Sequence, residues 1–272
     1  MATNYNRNRT QEYIESEIDP LYNYSETDRS KKKEFQQKVG ACYLTNFQKL
    51  SIASLLQEDA YDYLYSAFVS FLNGIQNTCE GNFSWATVEL YYTMFYLFRT
   101  KLHLEGIVIF RATQMYYLDI DRNDGFKVIN SQKHLNTHEG VIKLFEQFFC
   151  KNDVIYSNLV EYEKPIEWMK EKREIVNYLS VEFKEPEQFN YFEKFSSLTE
   201  IKASIKKIVN DTSLAFQEEF AIIGIPLLLF KEILTDYRID IDNIWGEKQK
   251  KYLLSRIDLD EFDEIKTILH LQ

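Results

Sequence analysis

SWATVELYYTMFYLFRTKLHL, residues 84–104, is the stretch on which the fold turns. Trp85, Val88, Tyr91, Tyr92, Phe95, Phe98 and Leu102 recur at helical steps on one side, and Leu90, Met94 and Leu97 line another. A helix that is apolar nearly all round belongs at the centre of a bundle. Glu89, Arg99 and Lys101 within it argue against a membrane span. Gly81 ends the connection before it, and Asn82 or Ser84 is the expected cap.

Upstream, 58–77 has its own helical stripe in Ala60, Tyr61, Leu64, Ala67, Phe68, Phe71, Leu72 and Ile75. Lys31, Lys32 and Lys33 open a further helical stretch, expected to run to Gln57 with Phe35, Val39, Cys42 and Leu50 on it. Residues 1–29 read as a polar arm ordered in part by packing elsewhere.

Downstream the pattern changes. Residues 107–110 and 115–120 look like strands, and Asn123-Asp124-Gly125 supplies hairpin-turn chemistry. Asp119, Asp121 and Asn123 suggest a calcium loop. The glycine falls one place late, however, and Asn130 stands where the bidentate Glu belongs, so no calcium is expected. Helical patterns resume at 138–149 and over 154–182, where Pro165 either kinks the helix or starts a second one. Pro186 marks a boundary. Beyond it Leu198, Ile201, Ile205 and Ile208 share a face, and Asp260 is the expected cap of a last helix bearing Phe262, Ile265 and Leu269.

Composition narrows the class. The 272 residues are 45% hydrophobic and 27% charged, which is globular and not disordered. Only 8 Gly and 4 Pro provide too little turn punctuation for an all-β fold. The 19 Tyr and 20 Phe exceed what one core of this size easily hides, so an interface, a homodimer or a complex with a neighbouring-gene product, is expected. A net charge of −10 weakens any reading as a general nucleic-acid binder, though a local basic cleft would still accept RNA. Cys42, Cys79 and Cys150 are odd in number and form no CxxC, so a reduced, cytoplasmic protein without disulfides or a zinc ribbon is expected. The polar start has no signal-peptide pattern. The run 221–230 is too short to span a bilayer and, interrupted by Gly224 and Pro226, reads as a buried segment.

The chemistry-bearing candidates cluster near one stripe. Ile155, Leu159, Tyr162, Ile166, Met169 and Val176 recur at steps of four and three, and Arg173 and Asn177 lie on the same side. An arginine on a core-facing stripe needs a partner or a cleft, since an unpaired buried charge is very costly. Glu89 is a candidate partner. His134 and His138 stand four apart, too few ligands for zinc, while His103 and His270 read as structural. GxSxG, phosphate-binding glycine loops and HExxH are all missing from the sequence, which removes support for nucleotide hydrolysis and metalloprotease chemistry. No metal or cofactor is expected.

Three stretches together resemble the HEPN-domain family of prokaryotic toxin–antitoxin and anti-phage systems. They are the aromatic helix 84–96, the helix start at 137–145, and Arg173-Glu174-Ile175-Val176-Asn177-Tyr178. The resemblance covers 58–185 and implies a helical bundle. In that family an Arg, four to six residues and a His form a metal-independent RNase site across a dimer. Here Tyr178 follows Arg173 after four residues and no His follows nearby. Tyrosine titrates near pH 10 and is a poor base at neutral pH.

The expected architecture is mainly α: an N-terminal arm and helix at 1–57, a HEPN-like bundle with a β-hairpin insertion at 58–185, and a helical extension at 186–272. Two functions follow from the resemblance. One is an RNase effector using Arg173, Asn177 and Tyr178, with His138 as a distant substitute base. The other is a catalytically silent subunit that dimerises or docks a partner.

Overall fold

The computed structural model describes residues 8–17, 32–111, 114–129, 137–150, 153–179, 185, 187–256 and 262–269. The chain is mainly helical, with one small antiparallel sheet among the described residues. Helices α1 (Arg9–Glu17), α2 (Lys32–Gly40), α3 (Asn46–Cys79) and α4 (Phe83–Leu104) precede strands β1 (Ile107–Arg111), β2 (Met115–Asp119) and β3 (Lys127–Val128). Then come α5 (Thr137–Phe149), α6 (Val154–Ser157), α7 (Pro165–Glu174), α8 (Leu198–Asn210), α9 (Glu218–Asp236), α10 (Ile241–Ile244), α11 (Glu247–Leu254) and α12 (Asp263–Ile268). The residues form two compact units, the first from 1–63 and 98–147, the second from 64–97 and 148–272. The long helices α3 and α4 each contribute to both.

In the first unit, Ile14 of α1, Val39 of α2, and Ile52 and Leu56 of α3 share a core with Val108, Phe110, Tyr116, Leu118 and Phe126. The strands lie in the order β1-β2-β3, with Ile109 opposite Tyr117 and Tyr116 opposite Val128. The expected hairpin is thus extended by a third short strand. Asn123 (φ 48°) and Gly125 (φ 84°) make the turn between β2 and β3. A Cβ on Gly125 would lie 2.1 Å from the Gly40 carbonyl oxygen, so only glycine fits there.

That turn also corrects the helix expected from 31 to 57. Asn123 clips Leu44 on both sides, accepting from its N–H and donating to its carbonyl, each at 2.9 Å. The clip lies in the non-helical link 41–45, and α3 restarts behind a capping box in which Gln48 N donates to Thr45 Oγ1 at 3.2 Å and Thr45 N to Gln48 Oε1 at 2.9 Å. The Asp119 and Asp124 carboxylates have structural partners. Asp119 Oδ1 accepts from the N–H groups of Asp121 (3.0 Å) and Arg122 (3.1 Å), and Asp124 pairs with Lys127. Asn130 lies outside the described residues. Part of the N-terminal arm is the helix α1, whose start is capped by buried Asp59, accepting from Arg9 N and Thr10 N at 3.0 Å each.

In the second unit, Phe68 meets Phe230 and Trp245 edge-on, with ring centroids 4.8 Å apart in both pairs. Gly74 lets α3 approach α4, since a Cβ there would sit 2.9 Å from Leu90 Cγ. α8 buries Ile201, Ile205 and Ile208. The run 221–230 lies within α9 and is buried except at Leu228, with Pro226 inside the helix. No helix among the described residues is long and apolar enough to cross a membrane. The Asp260 cap lies outside the described residues; α12 follows Phe262.

Candidate functional site

The helical pattern expected over 154–182, with Pro165 kinking it or starting a second helix, is over 154–179 a single helical turn, a reversal, a helix that Pro165 starts and a π turn. α6 is a single turn capped by Asp153, whose Oδ1 accepts from Ile155 N at 2.9 Å. The chain then reverses. Val160 N donates to the Glu163 carbonyl at 2.9 Å and Glu163 N to the Val160 carbonyl at 2.8 Å, around Glu161 (φ 48°) and Tyr162 (φ 75°). This is the primed hairpin turn, built without its preferred Asn-Gly pair. Glu161 is anchored there by Trp168, whose Nε1 donates to Oε2 at 3.0 Å, and by Lys172 at 3.7 Å. The Trp168 hydrogen bond first, against some burial, holds the Glu161 carboxyl below its ordinary range. Leu159 and Tyr162 therefore leave the apolar stripe, and Tyr162 is 96% exposed. Pro165 starts α7 at its first position, where its missing N–H is harmless.

What remains of the stripe is Ile166, Met169, Arg173 and Val176, all buried. Arg173 is 8% exposed, and its guanidinium carbon lies 4.7 Å from the Tyr91 ring centroid and 5.6 Å from that of Tyr178. Tyr91 is the nearer of the two rings. The Arg173 Nε is buried without a hydrogen-bond partner among the described residues. The cation is held by two aromatic faces. Burial raises the Tyr91 pKa above its ordinary value, and the opposing pull of Arg173 is smaller. Glu89, the candidate partner from sequence, instead lines a polar cleft with Asn73, Gln76, Asn77, Glu80 and Arg256.

Tyr178 reaches Arg173 because of a helix type that spacing does not reveal. In an ideal α-helix it lies about 140° round from Arg173. Residues Ile175–Leu179 instead form a π-helical turn, and its i→i+5 bonding brings residues five apart toward one face. Asn177 and Tyr178 are exposed, Tyr178 to 73%. His138 sits half-buried in the first turn of α5, in the first unit, whereas Arg173, Asn177 and Tyr178 belong to the second. His134 and His270 lie outside the described residues, and none of the described histidines belongs to the second unit.

The α4 helix adds an aromatic face. Trp85, Glu89, Tyr92 and Tyr96, spaced by four, three and four, are its least buried residues within the second unit. Trp85, expected on a core-facing side, is 52% exposed. The Tyr92 and Tyr96 rings are 6.1 Å apart, and Tyr92 lies close enough to Arg173 to act on its charge. Neither expected residue closes the start of α4 by itself: Glu185 does, accepting from Ser84 N at 2.6 Å and from its hydroxyl at 2.9 Å, as favours a carboxylate at a helix N-terminus.

No protein-family model, no curated protein and no solved structure matches this chain. Among the described residues no group of three or more His, Cys, Asp or Glu is placed to hold a metal ion. The arrangement offers a stacked, desolvated cation beside exposed tyrosine. Burial pushes the Tyr91 phenol up and not down, away from the range of a base near neutrality.

Proposed function

We propose that this chain is a HEPN-like protein that acts through assembly: a catalytically silent subunit whose aromatic face pairs with a second copy of itself. The observation that carries this reading is the state of Arg173. Its charge is committed to Tyr91 and Tyr178 and buried at 8% exposure, which fixes Tyr178 at the surface and withholds the cation from a bound phosphate. Tyrosine, tryptophan and arginine are the residues that dominate association energetics, and Trp85, Tyr92, Tyr96 and Tyr178 supply them.

Sedimentation equilibrium at micromolar concentration tests it. The expected result is a dimer that Tyr178→Ala or Tyr92→Ala weakens by about thirtyfold, the effect of one hot-spot residue. A strictly monomeric wild-type chain overturns the homodimer reading.

The π turn favours a second reading, an RNase effector of a defence or toxin–antitoxin system. It sets the residue that replaces the family histidine against the arginine. In that case Tyr178→Phe, which keeps the ring and removes the hydroxyl, abolishes RNA cleavage without changing the dimer.

A further inference from the structure

The small sheet of the first unit has a plugged edge. Among the described residues β1 pairs only with β2, so its other side is free of strands. One bond fixes which way its backbone groups point. The Gly106 carbonyl accepts from Ile120 N at 3.2 Å, and bonding alternates along an antiparallel ladder. Val108, opposite Leu118, and Phe110, opposite Tyr116, therefore bond inward to β2, whereas Ile107, Ile109 and Arg111 turn their N–H and C=O groups outward. At Arg111 a side chain takes both outward groups. Arg111 N donates to Gln11 Oε1 at 3.3 Å, and Gln11 Nε2 donates to the Arg111 carbonyl at 2.9 Å. An amide from α1 thus stands where a neighbouring strand would bond.

The hold of α1 on the unit is slight. Of its 9 residues only Thr10 and Ile14 are buried, and the Thr10 hydroxyl has no hydrogen-bond partner among the described residues. A helix this short has little stability of its own. The rest of the hold is polar. Asp59 caps the helix start, and Arg9 pairs with Glu58 and Asp59 at 3.3 Å each and with Asp62. Glu58 and Asp62 are more than half exposed, where such pairs contribute little.

The edge is complementary to itself. Its outward groups belong to the first, third and fifth residues of β1. Two copies running antiparallel about Ile109 set Ile109 opposite Ile109 and Ile107 opposite Arg111, so every outward group falls in a hydrogen-bonded pair. An uncovered apolar edge strand is a ready template for such pairing.

We infer that α1 is a releasable guard on this edge, and that lifting it lets β1 pair with β1 of a second copy, joining two three-stranded sheets into one. The contact belongs to the first unit and is separate from the aromatic face on the second.

The test is sedimentation velocity of the full chain, with amide hydrogen exchange. Arg9→Glu sets a like charge against Glu58, Asp59 and Asp62 without touching the core. It is expected to speed exchange of the Thr10 amide about tenfold, the sign that α1 has lifted. It is also expected to double the mass of the wild-type species at micromolar concentration and to slow exchange at Ile109 as concentration rises. Adding Arg111→Pro, which removes an outward N–H, is expected to restore the wild-type mass. Adding Tyr178→Ala, on the other face, is expected to keep the doubling. Asp59→Ala, which removes the cap, is read in the same way if Arg9→Glu leaves Thr10 protected. The inference is overturned if α1 lifts and the mass does not double, if the Arg111→Pro double variant still doubles, if neither change lifts α1, or if lifting it unfolds the first unit.

Discussion

At the scale of single residues, the decisive features are two buried cations-to-be, Arg173 and His103, with opposite outcomes. Arg173 remains charged because tyrosine faces replace water around it. Its position on the apolar stripe was legible from spacing alone. Its partners were not, because a sequence weighs charge against charge and the structure used ring faces in place of Glu89. This changes the expected energetics. Removing one member of a buried ion pair strands its partner's charge and costs about 3–5 kcal/mol. Tyr91 is a neutral phenol, so Arg173→Ala strands no charge and is expected to lose about 2 kcal/mol, from the cation–π contacts and packing. Arg173→Met, which keeps the volume, is expected to fall within about 1 kcal/mol of wild type. Urea denaturation of both variants checks this, and a loss above about 4 kcal/mol for the Met variant would show that the guanidinium has an anionic partner.

Among the elements, periodicity found helices but not their interruptions. The break at 41–45 is clipped by Asn123, about eighty positions away, and no local pattern announces it. A signal for the restart was present in Thr45 and Gln48, a capping box within a stretch that otherwise reads as continuous helix. The reversal at 160–163 is harder, since Glu161 and Tyr162 are poor turn residues and hold positive φ only because Trp168 and Lys172 anchor the carboxylate. Left-handed backbone costs an ordinary residue about 1–2 kcal/mol. Tyr162 is 96% exposed, so its side chain returns little. Tyr162→Gly is therefore expected to leave thermal stability unchanged or raise it by about 0.5 kcal/mol after the glycine's extra unfolded-state entropy. Tyr162→Val is expected to lower it by about 1–2 kcal/mol, because a β-branched residue tolerates this backbone worst. Equal melts for the two variants would show that the turn is not strained.

For the whole molecule, a mainly helical fold with a small antiparallel insertion followed directly from the all-round apolar helix, the scarce glycine and proline, and the strand-like run after Gly106. The pairing of chain segments did not, since each compact unit joins two stretches far apart in sequence. The continuity of α3 and α4 through both units has a measurable consequence. His103 belongs to the first unit, and Trp85, Trp168 and Trp245, the chain's 3 tryptophans, all belong to the second. In the unfolded chain His103 titrates near 6.5, whereas in the folded chain burial and Arg99 keep it neutral to lower pH. As pH falls below 6.5 the unfolded state takes up a proton that the folded state refuses. Stability contributed by the neutral ring is thus fully present above that value and falls by about 1.4 kcal/mol per pH unit until the folded pKa is reached. If the shared helices make unfolding one cooperative event, tryptophan fluorescence in the second unit reports this loss. The denaturation midpoint by fluorescence is then expected to fall between pH 6.5 and 5 together with the midpoint by circular dichroism. His103→Phe is expected to flatten both in the same way. A fluorescence midpoint that stays fixed while the dichroism midpoint falls would mean that the two units unfold separately, with α3 and α4 fraying at the join.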